Sequence, residues 1–392
     1  MKKKKFALVL SGGGFNGAFQ LGALNYINEN WKSISGLDSP MKFDLIAGVS
    51  VGALNGALLA MNQLDLLNDL WVNQIGRNGV SEIYTSEFIN TSSKSDKIKL
   101  KVDLKKLVKK LLPEVNIQLN FFKKLGLVFS KKQRAKIIEN ALKQVEKSIQ
   151  LNLPKFRSIA DNTPLSKKLD KYLDRSTITD TTYMCGFVSL DTGAYHSVKH
   201  SEFYSDKDFH QGVLASTAIP MIWNPVESVS FYGKNGVYTS KNNVDGGVRN
   251  VSPLGDVIKL INQDPNSEYK IIVINCNSGT PKVEDYSGKS IAAIAARSVY
   301  EIAITEVFNN DVEHFTKLND VVKQAQAWDS EIVLFGSDKH QIKDFDAVII
   351  NPSKGIDMGS SLVANEKLIA NRMIHGRTMA QLAFDKKDVH NA

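Results

Sequence analysis

The sequence has 392 residues, of which 43% are hydrophobic and 23% are charged, a balance that allows a large folded core and excludes a disordered or fibrous chain. Its net charge of +8 is uneven: between Lys97 and Lys147, 15 Lys and Arg stand against 4 Asp and Glu, a net +11 that leaves −3 for the other residues. No apolar stretch approaches the ~20 residues of a membrane-spanning helix, and the apolar run after the first lysines is too short for a secretory signal, so neither is predicted.

The predicted elements begin with an alternation of strands and helices. Residues 6–10 form a predicted strand, 17–30 a helix, 43–50 a second strand and 51–71 an alanine- and leucine-rich helix. This order is typical of parallel strands joined by right-handed crossovers, and it predicts an α/β fold. Later strands are predicted at 182–190, 270–275, 331–335 and 347–351, and later helices at 289–315 and 366–384. We expect the last three strands to extend the same sheet.

The middle of the sequence differs from its flanks. A polar stretch is followed by two amphipathic helical patterns and the sequence LNFFKKLGLVF, all of them rich in lysine. We therefore predict a basic helical insertion at 91–175 within a core formed by 5–90 and 176–392, with 261–392 an extension of the fold or a cap. The apolar stripes suit packing on the core, whereas lysines beside leucine and phenylalanine also suit peripheral contact with an anionic membrane, and both interpretations stay open.

The cysteines indicate the cellular compartment, and the sequence motifs limit the classes of partner that are expected. Cys185 and Cys276 lie far apart in apolar, strand-like runs, which predicts two reduced and buried thiols and a cytoplasmic protein. The basic residues carry no RNA or DNA motif, so a nucleic-acid partner is not expected. A homo-oligomer stays open.

The stretch LVLSGGGFNGAFQLG, residues 8–22, has the pattern of a strand, a glycine turn and the start of a helix. It matches the G-x-G-x-x-G fingerprint of dinucleotide-binding proteins at Gly12, Gly14 and Gly17. That fingerprint requires an acidic residue at the end of the next strand, but Asp38 precedes Pro40 outside any strand and Asp44 begins the second strand. We therefore expect no cofactor, and we expect the loop to bind another negative group, as helix N-termini do.

The second predicted strand ends in a G-x-S-x-G motif, Gly48-Val49-Ser50-Val51-Gly52. This motif is typical of a nucleophile elbow, in which a sharp strand-to-helix turn exposes the serine hydroxyl. Parallel strands joined by one helix end at the same edge of a sheet, so the glycine loop and Ser50 are expected to face one crevice. The loop's N–H groups can then stabilise the oxyanion that forms when Ser50 attacks a carbonyl.

A nucleophilic serine needs a base, and the sequence offers two kinds of candidate. There are seven histidines, among them His196 and His200, and none lies in a distinctive motif. The other candidate is Asp245 in NNVDGGVRN, whose Asp-Gly pair taken alone indicates only a turn.

At this point the sequence resembles the patatin-like phospholipase family. The matching residues stand in the family's order as GGGFNG at 12–17, GVSVG at 48–52 and DGG at 245–247, and ASTAIPMIWNP at 215–225 looks like the block before the family's aspartate. The resemblance covers about 5–260 apart from the insertion. It implies a three-layer α/β/α fold with a mainly parallel central sheet, a Ser–Asp dyad and no metal. It also implies hydrolysis of fatty-acyl esters in membrane phospholipids or lysophospholipids.

Carried onto this sequence, the resemblance implies that Ser50 is the nucleophile and Asp245 the base. It implies an oxyanion hole at Gly12, Gly13, Gly14 and Phe15. It implies supporting glycines at Gly17, Gly48, Gly52, Gly246 and Gly247. One residue departs from the pattern, because the family usually has Arg or Lys where this chain has Asn16, and the missing charge bears on head-group preference and rate. A patatin-fold protein that is catalytically weak or inactive and binds a lipid or a partner is the alternative.

Overall fold

The structure is a computed structural model. It describes residues 2–90, 101–103, 106, 110, 143, 147, 152, 157–277, 280–281, 283–288, 294, 297–330, 332–334, 340–341 and 344–390. The α/β fold is confirmed, since a mostly parallel central sheet carries helices on both of its faces.

The strands follow in chain order. They are β1 (Lys3–Leu10), β2 (Leu45–Val49), β3 (Ile89–Asn90), β4 (Lys101–Val102), β5 (Thr182–Ser189), β6 (Tyr195–Lys199), β7 (Val226–Gly233), β8 (Gly236–Asp245), β9 (Ser267–Ile274), β10 (Val333–Leu334), β11 (His340–Gln341) and β12 (Asp346–Ile350). In the central sheet β12, β9, β1, β2 and β5 run parallel in that spatial order. β8 and β7 continue the sheet antiparallel, and β6 also pairs antiparallel with β5.

The helices alternate with these strands. They are α1 (Gly17–Glu29), α2 (Trp31–Ser35), α3 (Val51–Ala60), α4 (Leu64–Asp69), α5 (Gly76–Asn78), α6 (Thr163–Tyr172), α7 (Asp206–Thr217), α8 (Leu254–Ile261), α9 (Ile304–Ala327) and α10 (Glu366–His390). A π-helical stretch, Leu70–Ile75, joins α4 to α5. The predicted helix over 51–71 is therefore interrupted after Ala60, where Asn62 adopts a positive φ of 58° that an α-helix cannot contain.

The two faces of the sheet have separate apolar cores. Leu8 and Leu10 of β1 point into one core, and Ala7 and Val9 point into the other. A strand that is buried on both faces reads as a continuous apolar run, which is why β1 could be predicted from FALVL. Both cysteines are buried and free, as predicted.

One predicted strand lies elsewhere. β9 and β12 extend the central sheet as expected, but β10, which falls within the predicted strand at 331–335, pairs with β11 in a separate two-stranded sheet. The expectation for that strand was wrong because a two-residue segment followed closely by a partner forms a local hairpin.

Most of the predicted basic insertion lies outside the described residues, including most of the positions between Lys97 and Lys147. At its C-terminal end, α6 buries Leu165 and Leu169 against the larger core. None of the described helices combines the length and the apolar character that a membrane crossing requires.

Candidate active site

Ser50 occupies the sharp turn between β2 and α3. Its backbone has φ 56° and ψ −127°, a strained conformation for a residue other than glycine. A Cβ at Gly48 would overlap the Gly52 carbonyl, and one at Gly52 would overlap the Leu10 carbonyl, so both motif glycines are needed where the turn crosses the end of β1. The side chain of Ser50 is thereby held at the carboxyl edge of the sheet.

Ser216, at the end of α7, supports this turn from behind. The Ser50 N–H donates to Ser216 Oγ at 2.9 Å, and the Ser216 hydroxyl donates to the Gly186 carbonyl of β5 at 2.6 Å. Ser216 is fully buried, so it fixes the turn to the neighbouring strand without water. Ser216 was not among the predicted site residues, although it belongs to the ASTAIPMIWNP stretch, which was the available signal.

Asp245 ends β8, where it lies opposite Phe187 of β5. Its Oδ1 accepts the Gly247 N–H at 2.8 Å, and its own N–H donates to the Ala218 carbonyl at 2.9 Å. A Cβ at Gly246 would overlap the Gly186 carbonyl and touch Val49, the residue before Ser50. The absence of that Cβ lets the Asp245 turn pack directly against the Ser50 turn.

The environment of Asp245 favours its neutral form. The residue is 6% exposed, and burial raises the pKa of its carboxyl to about 7, although hydrogen bonds from Ser50 and the Gly247 N–H act in the opposite direction. A carboxyl that titrates near neutral pH accepts a proton better than an ordinary aspartate does. The fold therefore places a buried carboxyl with a raised pKa beside Ser50.

The glycine loop follows β1 and reaches Ser50 through Gly12, where a Cβ would come 3.2 Å from Ser50 Cβ. Two of its N–H groups already have acceptors: Gly12 donates to the Val251 carbonyl at 3.0 Å and Phe15 to the Ser361 carbonyl at 2.8 Å. Among the described residues, no acceptor binds the N–H groups of Gly13 and Gly14. Of the four loop positions predicted to donate to an oxyanion, Gly13 and Gly14 therefore keep N–H groups without an acceptor among the described residues.

The other two loop residues singled out in the sequence, Asn16 and Gly17, are buried. A Cβ at Gly17 would overlap the side chains of Val51 and Trp71, so this glycine lets the start of α1 approach α3. Asn16 is 7% exposed, and its Nδ2 lies 3.5 Å from the Cys276 carbonyl. The loop itself thus contributes no charged side chain to the site.

A buried polar network connects the glycine loop to the pocket wall. Gln20 Nε2 donates to the Ser11 carbonyl at 2.9 Å, Asn55 Nδ2 donates to Gln20 Oε1 at 2.9 Å, and Trp71 Nε1 donates to Asn55 Oδ1 at 2.9 Å. Because these groups are buried and satisfy one another, the network makes the loop rigid.

An apolar pocket with a cavity volume of about 100 Å³ opens at Ser50. Its walls come from α3, α4, the π-helical stretch, α6 and the segment after α7. The apolar side chains that line it include Val51, Leu54, Leu58, Leu67, Leu70, Trp71, Ile75, Ile83, Leu165, Leu169, Leu173, Ile219 and Trp223. Lys168, at the wall formed by α6, pairs with Glu82 at 2.6 Å. The arrangement suits a hydrocarbon chain bound next to the serine.

The described residues that line this pocket include no histidine. His196 packs among the rings of Phe187, Phe231 and Tyr238, and His200 Nδ1 accepts the Tyr183 N–H at 3.2 Å. Within the described part of the chain, Ser50 is therefore brought together with Asp245 and not with a histidine.

Comparisons with known proteins identify the family of this chain. The family model described as patatin-like phospholipase matches residues 8–258, a range that contains the glycine loop, the Ser50 turn and Asp245. Among solved structures, the chain is similar to VipD from Legionella pneumophila at 13% identity and a TM-score of 0.35, with 97% of this chain and 67% of that chain covered. A search of curated proteins gave no match. Since the family match spans more than half of the chain and includes each of its site motifs, the chain belongs to the patatin-like phospholipase family.

Proposed function

We propose that this protein is a serine-dependent acyl hydrolase that cleaves fatty-acyl esters of membrane phospholipids or lysophospholipids. The observation that carries the proposal is the apolar pocket that opens directly onto Ser50, between the Asp245 carboxyl and the free N–H groups of the glycine loop. Such a pocket binds a hydrocarbon chain, since each methylene that it buries contributes about 0.8 kcal/mol. The ester carbonyl of a bound acyl chain then lies at the serine.

In the first half of the reaction, Ser50 Oγ attacks the acyl carbonyl while its proton passes to the ionised carboxylate of Asp245. Oδ1 of that residue is held by the Gly247 N–H, which leaves Oδ2 for the serine proton. The N–H groups of Gly13 and Gly14 stabilise the oxyanion. The tetrahedral intermediate collapses when Asp245 returns the proton to the departing alcohol oxygen, which leaves an acyl-serine and an ionised carboxylate.

In the second half, a water molecule gives a proton to Asp245 as its oxygen attacks the acyl-serine. The same N–H groups stabilise the second oxyanion. Collapse then breaks the Ser50–acyl bond, the proton returns to Ser50 Oγ, and the fatty acid leaves. One carboxyl can serve both halves because burial sets its pKa near 7, where its two protonation states are close in free energy.

The test is the release of fatty acid from mixed phospholipid vesicles and from a soluble short-chain ester. Wild type, Ser50→Ala and Asp245→Asn are compared, with folding checked by circular dichroism. Asp256→Asn is the matched control, because Asp256 is a partly buried carboxyl that also has a raised pKa but is bonded to Tyr195. We expect Ser50→Ala and Asp245→Asn to be inactive and the control to be active. Full activity in folded Ser50→Ala would refute the proposal, and so would an inert wild type on both substrates.

Membrane contact through the basic segment between Lys97 and Lys147 stays a prediction. Flotation with anionic vesicles tests it, by comparing the full chain with a chain that lacks 97–150. Loss of binding in the deletion is the expected result of a membrane role, and unchanged binding would contradict it.

A further inference from the structure

Arg372 of α10 is a buried arginine next to the glycine loop. It is 1% exposed, and it lies outside the 8–258 range that matches the family model. Its guanidinium donates to four backbone carbonyls, those of Met358, Ser360, Val363 and Phe15, at 2.9, 2.9, 3.0 and 3.2 Å. The fourth of these belongs to the glycine loop, so α10 is bonded directly to the candidate active site.

The same arginine also acts indirectly on the Phe15 N–H, through the segment that accepts its hydrogen bond. The Phe15 N–H donates to the Ser361 carbonyl, and Arg372 binds the carbonyls of Ser360 and Val363 on either side of Ser361. Gly14 has a φ of 55°, and a Cβ there would overlap the Ser361 carbonyl. The segment from Met358 to Val363 therefore lies directly against the loop, and Arg372 holds it there.

α10 is itself held firmly against α1. A Cβ at Gly22 of α1 would overlap the Met373 carbonyl, and one at Gly376 of α10 would overlap the Phe19 carbonyl. Two glycines on facing helices thus let the backbones approach closely within the turn that follows Arg372. The guanidinium projects from a rigid element, which is the property that a positioning group requires.

The guanidinium is charged, and its position is costly to maintain. Burial lowers the pKa of Arg372 to about 10, so it stays protonated at neutral pH. Its hydrogen-bond partners within the described residues are backbone carbonyls, and the Asp357 carboxylate acts on it only through a longer-range charge interaction. A buried charge held by neutral dipoles would favour any negative charge that develops on the neighbouring loop.

We propose that Arg372 is a positioning residue for the reaction at Ser50. It binds the Phe15 carbonyl directly and holds the segment whose Ser361 carbonyl accepts the Phe15 N–H, so that the N–H groups of Gly13 and Gly14 stay aimed at the oxyanion, and its charge favours that oxyanion. The inference rests on the proposed hydrolase function. It adds that a segment beyond the family-matched range completes the oxyanion hole.

The test uses the full chain and a soluble short-chain ester, with Arg372→Met and Arg372→Lys as variants. Methionine keeps the volume and removes the charge and the donors, whereas lysine keeps the charge but cannot present the guanidinium fork. Arg377→Met is the matched control, since Arg377 lies on the same helix but is exposed and pairs with Glu29. Circular dichroism and thermal unfolding report on folding.

We expect kcat to fall about tenfold or more in Arg372→Met and less in Arg372→Lys, with KM within about twofold of wild type because the pocket walls are unchanged. Labelling of Ser50 by a fluorophosphonate, whose phosphoryl oxygen uses the same donors, should slow by a similar factor. Arg377→Met should leave kcat and the labelling rate unchanged.

A folded Arg372→Met with wild-type kcat, or a loss confined to KM, would overturn the inference. If Arg372→Met does not fold, Arg372→Lys decides, and an unchanged kcat there overturns it. Ser50→Ala separates this failure from that of the proposed function. If wild type is active and Ser50→Ala is not, only the role of Arg372 is in question, whereas a wild type that neither turns over the ester nor reacts with the fluorophosphonate refutes both.

Discussion

Replacing Asp245 with Asn should stabilise the folded protein at neutral pH while it abolishes hydrolysis. The carboxyl is 6% exposed, and burial raises its pKa from 3.8 to about 7. In the unfolded chain it regains its ordinary pKa, so ionisation favours unfolding. Asparagine keeps the Oδ1 acceptor for the Gly247 N–H and removes only the ionisation, which makes it a close structural match.

The magnitude follows from the two pKa values. Below about pH 4 the carboxyl is protonated in both states, and the wild type retains its full stability. Between about pH 4 and 7 only the unfolded chain has lost the proton, so the free energy of unfolding falls by about 1.4 kcal/mol per pH unit. The loss in the free energy of unfolding reaches about 4 kcal/mol at the pKa that Asp245 has in the folded protein, and it stays constant at higher pH.

The assay is chemical denaturation of wild type and Asp245→Asn across this range of pH. The difference between the two proteins isolates one carboxyl, because every other titrating group is shared. We expect the free energy of unfolding of Asp245→Asn to rise relative to that of the wild type as the pH rises towards 7. Over the same range the kcat/KM of the wild type should rise and then level off. A difference that is independent of pH, or one that favours the wild type as the pH rises, would refute the assignment of a raised pKa.

Three further substitutions test the surroundings of Ser50. Ser216→Ala leaves the buried Ser50 N–H without its acceptor, so it should lower the free energy of unfolding by about 1–3 kcal/mol, measured by chemical denaturation, and reduce kcat. Ser230→Ala on β7 is the control and should change neither quantity. Trp71→Phe removes the donor to Asn55 and should cost a similar free energy of unfolding, measured in the same way. Leu54→Trp should fill part of the pocket and shift the released fatty acids towards shorter chains, measured by mass spectrometry, and an unchanged profile would place the acyl chain elsewhere.

The parts of the fold that local pattern controls could be predicted from the sequence. β1 and β2 are buried on both faces, and each is followed by a glycine-rich turn and a helix, so strand, turn and helix signals agree. Such agreement between neighbouring residues also located the Ser50 motif and the glycine loop. The range that matches the family model, residues 8–258, contains these same stretches.

The β7–β8 hairpin could not be predicted in the same way. Its strands lie at the antiparallel edge of the sheet, and many of their side chains are exposed, so VESVSFYG and GVYTSKNNVD show no strong apolar pattern. Asp245 itself could be placed beside Ser50 only through the resemblance to a family. The pairing of β8 with β5 depends on residues about 60 positions apart, which no local pattern encodes.

The local sequence of the glycine loop could not predict which of its N–H groups stay free. A run of glycines indicates that N–H groups are accessible, but it does not indicate which of them remain free. That choice depends on two carbonyls from distant parts of the chain, since Val251 accepts the Gly12 N–H and Ser361 accepts the Phe15 N–H. Ser361 is in turn placed by Arg372, about 360 residues beyond the loop. Long-range contacts therefore decide which loop N–H groups stay free, and of the four positions predicted as oxyanion donors only Gly13 and Gly14 have no acceptor among the described residues.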